Sequence, residues 1–488
     1  MLKLTVAGVA MSLATASPAP APASARRNAS GRVGVVVTTT HLSRRLARRP
    51  SLRWSRGAPS YGRVIRVDDS KRYQRMEGFG ASVTDSSAWL IATKLSPAAH
   101  ASLMRDLFGP SGIHLSYVRV PIGASDFTRD GVPYTYDDTP GGLPDPTLAN
   151  FSIEHDRAYV LPILREMLSL NPSASILASP WTAPPWMKAN DAYSNDHGGG
   201  TLASSAYGPL AQYFVRFLQD YSAAGVPVRA VTPQNEPGIW TSRYPGMNLS
   251  PAEEARFVAD YLAPALQGAG LRTEIYGVDI GWDARSYVHD LLADSRAARA
   301  LTGLSWHCYA GSGRTMSDVH RRFPGLEQGE TECSSPIAPG FPAEMVIDTA
   351  RHWGSTAQLW NLALNGHFGP VQRTGCGGCT GVVEIDERTG RVTRTRDYYQ
   401  LAQASRFVAV GARRIGSNTF VGYPETYFHQ KGPYATADVD NAAFRNPDGS
   451  HALLVYNNAR RRKAFTVAWR GRSFRYALPG RATATFTW

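Results

Sequence analysis

The chain has 488 residues, more than one ordinary hydrophobic core can serve, and its 43% hydrophobic fraction is that of a folded globular protein rather than a disordered one. The net charge of +13 comes mostly from arginines spread along the chain. Short clusters occur (Arg44, Arg45, Arg48, Arg49; Arg460, Arg461, Arg462, Lys463), but none adjoins a nucleic-acid motif, so nucleic acid is not the expected partner.

Lys3 followed by the apolar stretch Leu4 to Ala16 and by Ala23-Ser24-Ala25 reads as a secretory signal over residues 1–25, predicting an exported, extracellular protein. That stretch is shorter than the ~20 residues needed to cross a bilayer, and no later segment is long and apolar enough. Residues 26–57 read as a linker and a first strand, Val33 to Thr38. Their arginine-rich composition has no explanation at this level. Residues 58–78 read as N-terminal strands, including Val64 to Val67, that join a β-sandwich.

From 79 to 410 short apolar runs alternate with amphipathic stretches, the pattern of βα units around a parallel sheet. The predicted strands are Phe79–Val83, Tyr117–Ile122, Ser175–Ala178, Val228–Thr232, Thr273–Val278, Leu304–Cys308, Leu326–Thr331 and Ala357–Leu362. Between them Ser96-Pro97 and the capping box Ser250-Pro251-Ala252-Glu253 open helices. The stripe Leu210, Tyr213, Phe214, Phe217, Leu218 is helical core packing. Eight such units predict a (β/α)8 barrel. An open doubly wound sheet would be expected to carry a glycine-rich phosphate loop, which is missing.

Residues 411–488 change period. Apolar alternation on both sides of Asn446-Pro447-Asp448-Gly449, and again near the C-terminus, predicts an antiparallel β-sandwich sharing its sheet with the N-terminal strands. Cys376 and Cys379 are expected to form a local disulfide. Cys308 and Cys333, beside core strands, are expected to be buried free thiols.

Barrel chemistry sits at the C-terminal ends of the strands. The polar and aromatic residues there are Asp85, Arg119, Trp181, Asn235, Glu236, His307, Tyr309, Glu332, Trp360 and Asn361. No metal-ligand set, serine elbow or phosphate loop accompanies them, so no cofactor or metal is expected. Carboxylates at strand ends four and seven suit glycosidic cleavage, in which one protonates the leaving oxygen and the other attacks the anomeric carbon. Glu330, two residues before Glu332 and so expected on the same strand face, is a rival nucleophile. Asp85 is also readable as a helix N-cap, His307 as a core histidine and Trp360 as a cap on the barrel core. Arg119 is expected to orient the glutamates rather than touch substrate.

The motifs Glu77-Gly78-Phe79-Gly80-Ala81, Tyr117-Val118-Arg119-Val120-Pro121, Ser125-Asp126-Phe127, Ser179-Pro180-Trp181-Thr182, Asn235-Glu236-Pro237, Trp306-His307-Cys308-Tyr309, Thr331-Glu332-Cys333 and Trp360-Asn361 together resemble family-30 glycoside hydrolases, the glucosylceramidase-like group. The resemblance runs through most of the chain. It implies a barrel with an attached β-sandwich and a retaining mechanism, with Glu236 as acid/base and Glu332 as nucleophile. It further implies a terminal-sugar pocket of Asp85, Trp181, Asn235 and Trp360, with Asn361 beside it and His307 and Tyr309 near the nucleophile. The segment after Asp279 departs from the family pattern.

The leading expectation is a monomeric β-glucosidase acting on glucosylceramide-type substrates. The alternative is an endo-β-1,6-glucanase, or another β-glycanase or β-xylosidase of the same family. A non-catalytic carbohydrate-binding protein is disfavoured by the presence of both glutamates. An adhesion or nucleic-acid module would instead show binding that weakens steeply with salt.

Overall fold

The computed structural model describes residues 31–57, 59, 62–195, 200–334, 341–372, 375–420 and 438–488. The predicted signal lies outside them. No described helix is long and apolar enough to cross a membrane.

Eight parallel strands form the barrel: Gly78–Ala81, Tyr117–Pro121, Ser175–Ser179, Ala230–Val231, Glu274–Gly281, Gly303–His307, Glu327–Glu332 and Thr356–Leu359. The last pairs with the first, and a bridge between Ser82 and Arg119 joins the first to the second, so no edge is left open. The strands are buried on both faces, which is why most read as short apolar runs; the seventh, Glu327–Glu332, is buried beyond Glu327 although every one of its residues is polar or glycine. The helix signals act as local chemistry predicts. Ser96 caps helix Pro97–Phe108, and Ser250 and Glu253 cap Pro251–Arg256 reciprocally. At the N-terminal end of the barrel Arg229 bonds Glu77, Glu274 and Glu327, tying together residues beside four different strands.

Two strands step out of register at the mouth. Opposite Ser305 and Trp306, the fifth strand advances from Val278 to Ile280, leaving Asp279 as an extra residue. Opposite Trp306 and His307, the seventh advances from Glu330 to Glu332, leaving Thr331 extra. Such β-bulges turn the residues around them and cluster beside active sites. Val278 and Asp279 take left-handed backbone angles, φ 78° and 47°, that non-glycine residues seldom adopt.

The second domain is a ten-stranded sheet in the order Ala47–Arg53, Arg32–Thr39, Ala482–Thr487, His451–Asn457, Val439–Arg445, Arg413–Ser417, Val64–Arg75, Lys463–Trp469, Arg472–Leu478, Ser55–Arg56. Both chain ends build it. All its pairings are antiparallel except that of Lys463–Trp469 with Val64–Arg75. The span 26–57, read as a linker and one strand, contains three strands. Ala47–Arg53 is an exposed, arginine-rich edge strand with no apolar alternation, so the hydrophobic period is silent there. A further small sheet, Ala363–Leu364, Val383–Ile385 and Val392–Arg394, lies beyond the eighth barrel strand, and the Cys376–Cys379 disulfide falls in its first connection.

The expectation of free thiols at Cys308 and Cys333 is corrected, because they form a disulfide. Pairing of His307 with Glu332 sets the next residue of each strand opposite the other, with Cα atoms 5.4 Å apart, within bridging distance.

Candidate active site

The site is organised around Arg119, wholly buried in the second barrel strand. Its guanidinium donates to Glu332 Oε2, to Asp279 Oδ2 (2.7 Å) and to Asn235 Oδ1 (2.8 Å), and it lies 4.7 Å from the centre of the Trp181 ring. A buried cation needs such partners, since an unpaired one is expelled toward water. Asp279, turned inward by its bulge, accepts from Arg119, Ser179, Thr232, His307 and Thr331. Burial opposes its ionisation, yet Arg119 and His307 hold its carboxyl well below the ordinary range.

His307 is fully buried, with Nδ1 3.1 Å from Glu236 Oε1 and Nε2 3.1 Å from Asp279 Oδ1. Burial alone would depress its pKa. The charge of Glu332 and the bonds to Asp279 and Glu236 outweigh this and push it up to about 10. The ring is therefore an imidazolium that donates from both nitrogens. Glu236, His307 and Glu332 offer three ligand-type atoms within 4.8 Å of one another, but an imidazolium has no lone pair for a cation. A raised folded-state pKa stabilises the fold fully below the unfolded value of ~6.5, and the contribution is lost as pH rises to about 10. The urea midpoint of the wild type is expected to fall across that window by the equivalent of a few kcal/mol. His307→Gln should lack that part of the slope, and parallel pH profiles for the two proteins would show that His307 does not titrate there.

Glu332 ends the seventh strand and is 5% exposed. Its Oε1 accepts from Tyr309 Oη at 3.0 Å and its Oε2 from Arg119. Burial raises its pKa and the charge of Glu236 adds to the rise, while His307 and Arg119 work against it. Glu236 follows the short fourth strand at φ 47°, and its backbone N–H donates to Asp279 O. One oxygen of Glu236 lies within 4.8 Å of one of Glu332.

These two glutamates, with Asn235, Trp181, Trp360 and Tyr309, line a cavity of about 270 Å³. Trp181 and Trp360 stack at 5.0 Å and 19°. Asp126, Arg243, Tyr244 and the Cys376–Cys379 disulfide complete the wall. Asp126 is 5% exposed. Its Oδ2 accepts from Cys376 N at 3.1 Å, and its Oδ1 has no protein partner among the described residues. Burial pushes its carboxyl up to about 8.

Asp85, Asn361 and His307 are not on the cavity wall, though His307, expected near the nucleophile, lies 3.9 Å from Glu332 Oε2. Asp85 opens helix Asp85–Thr93 behind the N-cap Thr84, and its carboxylate is taken up by Arg129 N, His155 and Tyr159. It does not line the cavity, where Asp126 stands instead. Asn361 is fully buried and accepts from Thr84 Oγ1 at 2.9 Å, and His307 acts from beneath through Glu236 and Asp279. Asp126 was legible as an acid soon after the second strand, in Ser125-Asp126-Phe127. Arg243 and Tyr244 carry no local signal.

Glu330, expected on the same strand face as Glu332, is not. The bulge at Thr331 adds one residue, so Gln328 and Glu330 face the outer helices, where Gln328 Nε2 donates to Met316 O. Glu330 is fully buried, neither of its oxygens has a hydrogen-bond partner among the described residues, and burial pushes its pKa well above the carboxylate range. A protonated carboxyl beneath the sheet is no nucleophile.

Comparison with known proteins agrees with this geometry. The pattern of the "Glycosyl hydrolase family 30 TIM-barrel domain" matches residues 76–338, and that of the "Glycosyl hydrolase family 30 beta sandwich domain" matches 411–486. Endo-1,6-beta-D-glucanase neg1 of Aspergillus fumigatus is 34% identical over 414 residues, 80% of this chain and 81% of that protein. Lysosomal acid glucosylceramidase of Mus musculus is 28% identical over 460 residues, 88% and 84% of the two chains. A solved endo-beta1,6-glucanase superposes with a TM-score of 0.81 at 30% identity, covering 94% of this chain and 99% of its own. A barrel with paired glutamates at strand ends four and seven, joined to a sandwich built from both chain ends, thus marks this chain as a member of glycosyl hydrolase family 30.

Proposed function

We propose that the protein is an exported, retaining endo-β-1,6-glucanase. The observation that carries the mechanism is the approach of Glu236 and Glu332 to within 4.8 Å. Carboxyl groups ~5 Å apart serve double displacement, whereas inversion needs a wider gap for water. The hydrogen bonds support the division of roles. Arg119 and Tyr309 each donate to an oxygen of Glu332, the pairing a carboxylate nucleophile needs, so Glu332 attacks the anomeric carbon while Glu236 donates a proton to the departing glycosidic oxygen. In the second step Glu236 takes a proton from water, the water oxygen bonds to the anomeric carbon, and the Glu332 ester breaks. Asp126 Oδ1 and Asn235 are placed to meet sugar hydroxyls, and the Trp181–Trp360 pair to meet an apolar sugar face.

For substrate, the glucosylceramide-type expectation gives way to the β-1,6-glucan alternative. The glucanase relatives share 32–34% identity with this chain against 28% for the glucosylceramidase. Export rests on the signal-like residues 1–25. The test is digestion of a linear β-1,6-glucan beside glucosylceramide and 4-nitrophenyl β-glucoside. Early release of mixed gluco-oligosaccharides with β-configured reducing ends is the expected result. Cleavage of glucosylceramide with the glucan untouched would overturn the substrate reading, and glucose as sole early product would overturn endo action.

An endo enzyme also grips sugars beyond the scissile bond. Trp240 is 58% exposed, in the loop between Glu236 and the cavity-lining Arg243 and Tyr244. Trp240→Ala is expected to raise KM for the polymer threefold to tenfold, the loss of about 1 kcal/mol of ring stacking. Hydrolysis of 4-nitrophenyl β-glucoside should not change. An unchanged KM for the polymer would remove Trp240 from the binding path.

A further inference from the structure

The catalytic site leaves the arginine clusters unexplained. Residues 31–57 contain seven arginines, and residues 449–488 contain seven arginines and one lysine; neither stretch has an aspartate or glutamate. Their 15 positive charges exceed the net +13 of the whole chain, so the remainder is close to neutral. The fold brings the two stretches together. Strands Ala47–Arg53 and Ser55–Arg56, at the two ends of the sheet order, are separated in sequence only by Trp54, and Ser55–Arg56 pairs with Arg472–Leu478. Trp54 packs on Trp469, Phe474 and Trp488 and pins this seam to the sandwich core. Arg49 hydrogen-bonds the Tyr476 phenol, and Arg44 and Arg462 act on the same ring.

The arrangement repels itself. Arg56 stands directly opposite Arg472 in the strand register, a like-charge pairing that destabilises a sheet. Asp69 takes up Arg470 and Asp438 takes up Lys463, but Arg44, Arg49, Arg56, Arg461, Arg462 and Arg472 have no carboxylate partner among the described residues. None of them lines the catalytic cavity.

We propose that this seam of the sandwich docks an acidic polysaccharide bearing uronate carboxylates, holding the enzyme against a charged glycan matrix while the barrel hydrolyses its own substrate. Guanidinium forks match carboxylates in bidentate geometry, and neighbouring strands ~4.8 Å apart set them in rows along a chain of regularly spaced charges. A membrane surface is disfavoured. Peripheral docking uses apolar anchors, and the large exposed apolar side chains of the described residues, Val132, Leu143, Ile239, Trp240 and Phe368, all belong to the barrel. The proposal rests on the reading of the protein as a polysaccharide hydrolase, but not on which β-glucan it cleaves.

The test measures binding of the full chain to polygalacturonate, neutral β-1,6-glucan, duplex DNA and anionic phospholipid vesicles at 50 and 200 mM NaCl. It uses the wild type, the quadruple variant Arg49→Gln, Arg461→Gln, Arg462→Gln, Arg472→Gln, and the same four positions changed to Lys. The wild type is expected to bind polygalacturonate and to lose at least about tenfold in affinity at the higher salt. The Gln variant should lose at least about tenfold at low salt while the Lys variant retains most of the binding. All three should hydrolyse 4-nitrophenyl β-glucoside alike, which shows that they are folded and keeps this outcome separate from failure of the catalytic reading. Absence of wild-type binding to polygalacturonate, equal binding by the wild type and the Gln variant, or tighter binding to DNA or vesicles at equal salt would each overturn the proposal.

Discussion

Glu332→Gly is expected to lose at least ~10⁴-fold in kcat on 4-nitrophenyl β-glucoside, and added azide to restore turnover with α-glucosyl azide as product. Removing the carboxylate leaves Arg119 and Tyr309 around a space that a small anion fills from the nucleophile's side of the sugar. A single displacement from that side inverts the anomeric centre, whereas the wild type inverts it twice. Glu330→Gln should retain activity within about tenfold, because Glu330 faces the helices and changes no bond at the mouth. Azide rescue of Glu330→Gly but not of Glu332→Gly would overturn Glu332 as nucleophile and give that role to Glu330.

Glu236→Ala is expected to separate substrates by their leaving groups. A dinitrophenolate departs without protonation, so the first step on 2,4-dinitrophenyl β-glucoside should survive and the glycosyl-enzyme accumulate, seen as a burst. An alkyl glucoside or the β-1,6-linked polymer needs the proton and should lose ~10²–10⁴-fold in kcat/KM. Azide should accelerate release of the intermediate and give the β-glucosyl azide, opposite in configuration to the product of the nucleophile variant. A loss of equal size on every leaving group would deny Glu236 the acid's role.

Much of this was readable from the residues. Most barrel strands are buried on both faces and appear as short apolar runs, and polar residues following such runs fall at the mouth whatever the loops do. Glu236 follows from that rule; Glu332 does not, since its strand Glu327–Glu332 holds no apolar residue, and its role is implied by the motif Thr331-Glu332-Cys333 and the family resemblance. The edge strand Ala47–Arg53 did not, because it is held by pairing with Arg32–Thr39 and carries almost no apolar signal. Asp85 and Asp126 are both acids just beyond early strands, and only packing separates them. Helix Asp85–Thr93 turns the first into contact with His155 and Tyr159, while the Cys376 loop holds the second against the cavity.

By itself the sequence determined the division into barrel and sandwich and most of the βα units, since these follow from hydrophobic period and capping residues, all local properties, and it narrowed the candidate acids to those at strand ends. Tertiary structure alone decided which way the mouth residues point and what lies beside them. Strand parity alternates side chains only while the register is unbroken. The bulges at Asp279 and Thr331 exist because neighbouring strands step differently, and nothing in either strand's own composition announces them. They send Asp279 and Glu332 inward, turn Glu330 away, and bring Cys308 opposite Cys333. The same long-range pairing of the chain ends gathers arginines that look scattered in sequence onto one seam, because charge adds in space and not along the chain.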